Sequence, residues 1–285
     1  MVAPASVASG GEVKGTIFYK MTGSGNDFVL LDGRSTTLDQ WSRQRVVQIC
    51  DRRSGVGADG LVILSPEDGD AVRMVFFNSD GSRAAMCGNA ALCSTRLSAH
   101  LELGPPEGMR LLTDAGVVAT RSLEEDERAE IRLPDTLVPK PVPAVTPEAG
   151  ERSIWLGCVG VPHLVVLVDD IRAVDIAGRG RALRHDPAAG PEGANANFIA
   201  APAKAGGPWL IRTFERGVEG ETLACGTGTV AAALALAGRS ATLPLGFRSW
   251  GGELLTVRAT VRGDVATDVW LGGQGRLVFR GVWGG

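Results

Sequence analysis

From Val230 to Leu236 the chain reads VAAALAL, with no polar side chain on any face. Alanine and leucine are strong helix formers, and a helix that is apolar all round has to be buried rather than laid on a surface. The approach to it, ERGVEGETLACGTGT from Glu215 to Thr229, delivers one thiol, Cys225, to the helix start. Gly226 and Gly228 permit close approach of the backbone to a ligand, and Thr227 and Thr229 are candidate caps. At that position unpaired amide N–H groups and the positive end of the helix dipole converge, which lowers a thiol pKa and binds a carboxylate. Taken alone, the same residues also describe a small buried cysteine at a strand-to-helix turn.

The pattern recurs. Cys87, in AAMCGNAALCSTRLSAHL, is followed by Gly88 and Asn89 and then by another Ala-rich helical run. Each cysteine is preceded by a β-like stretch, Met74 to Phe77 and Trp209 to Phe214. Two related halves, each presenting one cysteine at a helix start, would set two thiols on opposite sides of a small substrate.

At 285 residues the chain accommodates two ordinary domains. A net charge of −3 and few aromatic residues argue against a nucleic-acid surface. Five cysteines without regular spacing argue against a disulfide framework and for a reducing compartment. Residues 1–15 lack the apolar centre of a signal peptide and read as a disordered leader. No apolar run approaches the roughly 18 residues that a membrane span requires. The expectation is a cytoplasmic protein with neither a nucleic-acid nor a membrane partner.

In order, Thr16 to Met21 reads as a strand ending in TGSGNDF, which puts Asn26 and Asp27 on a turn. Leu38 to Cys50 has helical spacing. The G-x-G-x-x-G from Gly55 to Gly60 is not a dinucleotide fingerprint, because it follows a helix and opens a strand, Leu61 to Leu64. Val72 to Phe77 is a strand that brings Asn78 to its end, and β-like segments follow at Arg110 to Thr113, Gly116 to Ser122 and Ala129 to Leu133. The acidic run Glu124 to Glu127 reads as a solvated hairpin loop, and Pro134 to Glu151, Pro-rich and almost patternless, as the interdomain connection. Beyond it come β-like Ser153 to Cys158, the turn carrying His163, a strand at Leu164 to Val168 and a helix over Val174 to Leu183. A strand at Phe198 to Ala201 follows, with Asn195 and Asn197 at its entrance, and four β segments follow the Cys225 helix. The fold class is α+β: two pseudo-symmetric strand-rich domains, 16–134 and 135–275, each wrapped around a central helix.

The histidines are scattered, no lysine lies near either cysteine motif, and neither a G-x-S-x-G elbow nor a Walker lysine occurs. What remains is a thiol pair with Asn26, Asn78, Asn195, Glu215 and Arg216 available to grip ammonium and carboxylate groups. Two opposed bases suit inversion at a carbon bearing a weakly acidic hydrogen: one cysteine, as thiolate, removes it and the other, as thiol, returns a proton to the opposite face. Backbone N–H groups after each cysteine would hold the α-carboxylate. His163 either bonds backbone or approaches this site, and Cys50, Cys93 and Cys158 read as core packing.

TGSGNDF, DRRSGVGADG, FNSDGS with MCGN, and ERGVEGETLACGTGT together resemble the diaminopimelate epimerase family from about Thr16 onward. The resemblance implies a cofactor-free interconversion of LL- and meso-diaminopimelate with Cys87 and Cys225 as the base pair, and a last strand, within 276–285, returning to the first domain. It implies substrate-holding roles for Asn26, Asn78, Asn195, Glu215 and Arg216, with Arg216 on the distal carboxylate, and a cradle of amides at Gly88, Asn89, Gly226 and Thr227. The partner is then a small amino acid, and a homodimer is left open. The family usually has Gly-Asn-Pro-His where this chain has Gly-Val-Pro-His, so Val161 replaces an amide at the distal end of the substrate. A racemase of the same fold acting on another amino acid, for example histidine, and a non-catalytic amino-acid binder are the alternatives. The resemblance to proline racemases calls for a histidine where Asn89 stands.

Overall fold

A computed structural model describes residues 15–123 and 127–284. The leader at 1–15 therefore lies, but for Gly15, outside the described residues, as does most of the acidic loop at 124–127. The described chain is strand-rich, with α-helices α1 (Arg43–Cys50), α2 (Gly88–His100), α3 (Gly178–Arg184) and α4 (Gly226–Ala237).

Both halves run through one series of pairings. In the first, the hairpin Thr16–Gly23/Asn26–Asp32 is followed across α1 by a parallel partner, Gly60–Pro66, which turns back into Ala71–Asn78. Then α2 crosses to a second parallel strand, Met109–Thr113, which opens the meander Gly116–Leu123, Arg128–Leu133. In the second half the hairpin is Glu151–Val159/Val161–Val168, and the parallel partner across α3 is Asn195–Ala200, which turns back into Trp209–Glu215. Across α4 lies Leu245–Ser249, and Leu254–Arg262 and Val265–Gln274 complete the meander. Because the same series places α2 and α4, the two Cys-Gly segments occupy equivalent stations.

Burial follows from sequence. Every residue of α4 from Gly228 to Leu236 is buried, as is the run Ala90 to Thr95 in α2. Three hydroxyls in these helices are satisfied without leaving them: Ser94 and Thr95 donate to the carbonyls of Ala90 and Ala91 at 2.7 and 2.8 Å, and Thr229 donates to that of Cys225 at 2.8 Å. Residues of both helices belong to one apolar cluster that continues between the halves through Ile131, Leu271 and Val269. Strand Val265–Gln274 pairs with Arg128–Leu133, and the last strand, Arg276–Trp283, pairs with Thr16–Thr22. Trp283 stacks on Trp41 at 5.7 Å with the Arg45 guanidinium over both rings.

Three expectations need correction. The helix over Leu38 to Cys50 is interrupted: a 3-10 turn spans Leu38–Gln40 and α1 starts afresh at Arg43, where the Ser42 hydroxyl accepts from Arg45 N at 3.3 Å. The helix over Val174 to Leu183 starts only at Gly178, whose N–H is taken by the Asp175 carboxylate at 3.0 Å. The connection Pro134 to Glu151 is partly ordered as strands, Thr136–Leu137 on Val265–Ala266 and Lys140–Pro141 on Trp155–Leu156. Proline and short length hide such pairings from a periodicity argument.

Candidate active site

Each cysteine occupies the last extended position before its helix, Cys87 at φ −140°, ψ 123° and Cys225 at φ −126°, ψ 108°. Both line one cavity of about 1560 Å³ between the halves. Of the residues expected around them, Asn26, Asn78, Gly88, Asn89, Glu215, Gly226 and Thr227 share that wall.

The backbone around Cys225 is fixed by close packing. A Cβ at Gly226 would lie 2.6 Å from Leu271 Cδ2. One at Gly228 would collide with Asn197 Oδ1 and lie 3.2 Å from Cys225 Sγ. Only glycine lets the first turn of α4 lie flush on the strand beneath it. Thr227 Oγ1 lies 3.7 Å from Cys225 Sγ.

The thiols depart from expectation. Burial pushes Cys225 up to about 11, with the negative charge of Glu215 adding to it, against the lowering effect of the Gly228 and Thr227 N–H groups and the Thr227 hydroxyl. Burial also raises Cys87, the N–H groups of Ala90 and Asn89 oppose it, and the charges of Glu215 and Asp59 add to it. The helix-start donors are present, but desolvation by burial outweighs them. Glu215, at the end of Trp209–Glu215, acts on both sulfurs.

Asn195, Arg216, His163 and Val161 are not among the residues that line this cavity. His163 and Asn195 are buried and Val161 is half-buried, opening its strand. Asn195 Oδ1 accepts from the Arg216 backbone N–H at 2.7 Å, so it holds the turn that follows Glu215. The Arg216 side chain has a long 3.9 Å ion pair to exposed Glu192. Burial brings His163 down to about 4, and the Arg216 charge adds to this, so the ring is neutral at neutral pH. Asn197 Nδ2 lies 3.2 Å from His163 Nδ1 and 3.0 Å from the Leu164 carbonyl oxygen, and its Oδ1 accepts from Thr213 at 3.0 Å. An amide N–H can only donate, so His163 Nδ1 accepts and the ring proton sits on Nε2.

Three placements were not legible beforehand. Cys158 is exposed on the cavity wall instead of packing in a core. Asn197 is the platform beneath Gly228. Asp59 lines the cavity beside Asn26 and accepts its Nδ2 at 2.9 Å. The signal for Asp59 was available, an acid at a strand entrance in DRRSGVGADG, but its partner lies far away in sequence.

No helix among the described residues is long and apolar enough to cross a membrane.

The diaminopimelate epimerase family model matches residues 18–133 and 157–264. A diaminopimelate epimerase from Gemmatimonas aurantiaca is 44% identical over 93% of this chain and 98% of its own length. One from Aquifex aeolicus is 36% identical, over 93% of this chain and 96% of its own. Among solved structures, a phenazine biosynthesis protein of the PhzF family from Enterococcus faecalis superposes with a TM-score of 0.69 at 17% identity, covering 94% of this chain and 98% of that one. A probable proline racemase from Agrobacterium radiobacter does so with a TM-score of 0.60 at 18% identity, covering 94% and 92%. These two likenesses concern the fold.

Proposed function

The chain belongs to the diaminopimelate epimerase family, and from that premise we propose that it interconverts LL- and meso-diaminopimelate, on the route to lysine and peptidoglycan, with Cys87 and Cys225 as its two bases. The chain is an amino-acid epimerase by family, and the cysteine chemistry is our reading. The observation that carries it is the station of the two thiols, each at the start of a buried helix and both on one cavity.

One sulfur, as thiolate, takes the α-hydrogen as a proton. The electron pair left on carbon spreads into the carboxylate, where N–H groups of Gly88, Asn89, Gly226 and Thr227 meet it. The other sulfur, as thiol, gives its proton to the opposite face, so thiol and thiolate exchange places in each turnover. By usual magnitudes each such donor is worth about 10²–10³ in rate.

Both thiols sit above their ordinary range, and the Glu215 charge contributes to each shift. A substrate ammonium paired with Glu215 cancels that contribution, so binding itself promotes ionisation of one sulfur. Arg216, held only by its long ion pair to Glu192 among the described residues, is available to a distal carboxylate. Val161, which lacks the amide usual in the family, keeps a different side chain on the substrate as a second reading.

The test is solvent-deuterium incorporation at the α-carbon of LL-diaminopimelate, histidine, lysine and ornithine. Wild type should exchange the first, and Cys87→Ser and Cys225→Ser should lose it. Equal exchange in all three proteins removes the two-base mechanism, and exchange of histidine alone removes the substrate.

A further inference from the structure

Asp59 is an acid in the cleft wall that the chemistry above does not use. It stands just ahead of strand Gly60–Pro66 and is held from both ends of its carboxylate. Oδ2 accepts from Asn26 Nδ2 at 2.9 Å and from the Asp27 backbone N–H at 3.2 Å, and Oδ1 accepts from Arg52 Nη2 at 2.7 Å. Arg52 also grips both oxygens of Asp27, at 2.6 and 3.0 Å. Lys20 completes the chain, bonding Asp27 at 2.5 Å and the Gly57 carbonyl. Two cations and two carboxylates thus alternate from the interior to the cleft, so Asp59 is charge-balanced and braced.

Such a group imposes a direction on its neighbours. A carboxylate only accepts, so Asn26 must turn its NH2 toward Asp59 and its oxygen away. Asn89 Nδ2 donates to that oxygen at 2.7 Å and, over a long 3.5 Å, to the Ser24 carbonyl, so the short bond to Asn26 is the main one that turns the Asn89 oxygen away. No described residue bonds Asn89 Oδ1, and Asn26, Asp59 and Asn89 all line the cavity. The Asn89 backbone N–H, with that of Ala90, also faces the Cys87 sulfur.

We propose that Asp59, braced by Arg52, is a positioning residue that fixes the direction of the Asn26 and Asn89 amides, so that the cleft presents an acceptor oxygen of Asn89 beside Cys87 to a donor group of the substrate. The chemical class of that donor is an ammonium or amide N–H. This rests on the reading that the Cys87 cleft receives an amino acid. Were the amides reversed, an NH2 would face that donor and one hydrogen bond would be replaced by a repulsive contact.

Asp59→Asn keeps shape and volume while allowing either direction. With LL-diaminopimelate followed by deuterium wash-in, KM should rise roughly ten- to a hundredfold, the span of a misdirected polar contact. Because the Asp59 charge contributes to the raised Cys87 thiol, kcat is compared at each protein's own pH optimum, which should move down in Asp59→Asn. There it should stay within about threefold of wild type, whereas a general loosening of the fold would lower kcat and leave KM alone. Arg52→Lys, which keeps the charge but not the double grip, should raise KM in the same direction by a smaller factor. Should Asp59→Asn not fold, an Arg52→Lys KM equal to wild type overturns the proposal. The side-chain NH2 resonances of Asn26 and Asn89 in asparagine-labelled protein give a second readout, and both should shift in Asp59→Asn. An active Asp59→Asn with the wild-type KM overturns the positioning role and leaves the two-cysteine reading standing. If wild type exchanges no amino acid, that reading falls, and unchanged amide resonances in Asp59→Asn then overturn the positioning role as well.

Discussion

Gly228→Ala tests how the second thiol is seated. At this position alanine is ordinarily the better helix residue, by up to about 1 kcal/mol. The equivalent station in the first half is Ala90, fully buried and tolerated. In α4, however, the added methyl must displace the Asn197 carboxamide oxygen. Asn197 has no freedom to yield: it is fully buried, accepts from Thr213 at 3.0 Å, donates to the Leu164 carbonyl at 3.0 Å and faces His163 Nδ1 at 3.2 Å. Displacing the carboxamide orphans both the Thr213 and the Leu164 groups, at about 1–3 kcal/mol each. Net of a helix gain of about 1 kcal/mol, Gly228→Ala should be less stable than wild type by about 1–5 kcal/mol, read as a lower urea midpoint at unchanged m-value. Asn197→Ala removes the obstacle, so a double-mutant cycle should return a coupling of about 1 kcal/mol or more, with the pair more stable than the sum of its parts. Activity should not recover with stability, because the methyl still lies 3.2 Å from Cys225 Sγ. A Gly228→Ala protein as stable as wild type, or additive behaviour in the cycle, would refute the close-packing argument.

Two further outcomes follow from charge. Glu215→Gln removes a negative charge that raises both thiols, so the pH at half-maximal alkylation of Cys225 should move down from about 11, and that of Cys87 should also fall; an upward move contradicts the assignment. Burial of Asp27 favours its neutral form, but the hydrogen bonds and charges of Arg52 and Lys20 outweigh this and bring its carboxyl from 3.8 to about 2. The folded pKa lies below the unfolded one, so this stabilisation is complete above pH 3.8 and lost as pH falls toward 2. Discounted for partial solvent screening it amounts to about 1–2 kcal/mol. Asp27→Asn should therefore flatten the acid limb of a stability profile between those values, and an unchanged limb would count against the pairing.

Some of this molecule was already fixed by local chemistry. A helix with no polar face has to be enclosed, and two Cys-Gly entries imply two such enclosures, so the α+β class and a cysteine at the start of each buried helix were legible from Val230 to Leu236 and from the MCGN and ACGT segments. Strand and crossover positions followed from β-like runs and glycines, except where the side chains of Ser42 and Asp175 at helix starts overruled apolar spacing and where Thr136–Leu137 and Lys140–Pro141 are too short and Pro-rich to show a period.

Three properties were decided by tertiary structure alone. The thiols lie above their ordinary range because burial in the cleft outweighs the helix-start N–H groups, and burial depends on what the other half contributes. Glycine is required at Gly228 but not at Ala90 because Asn197 stands beneath one helix and not the other. Asp59 commands two amides because a loop more than thirty positions away in sequence folds back against the TGSGNDF turn. Sequence pattern reports interactions between near neighbours, whereas desolvation, close approach and amide direction are set by groups that meet only when the chain is folded.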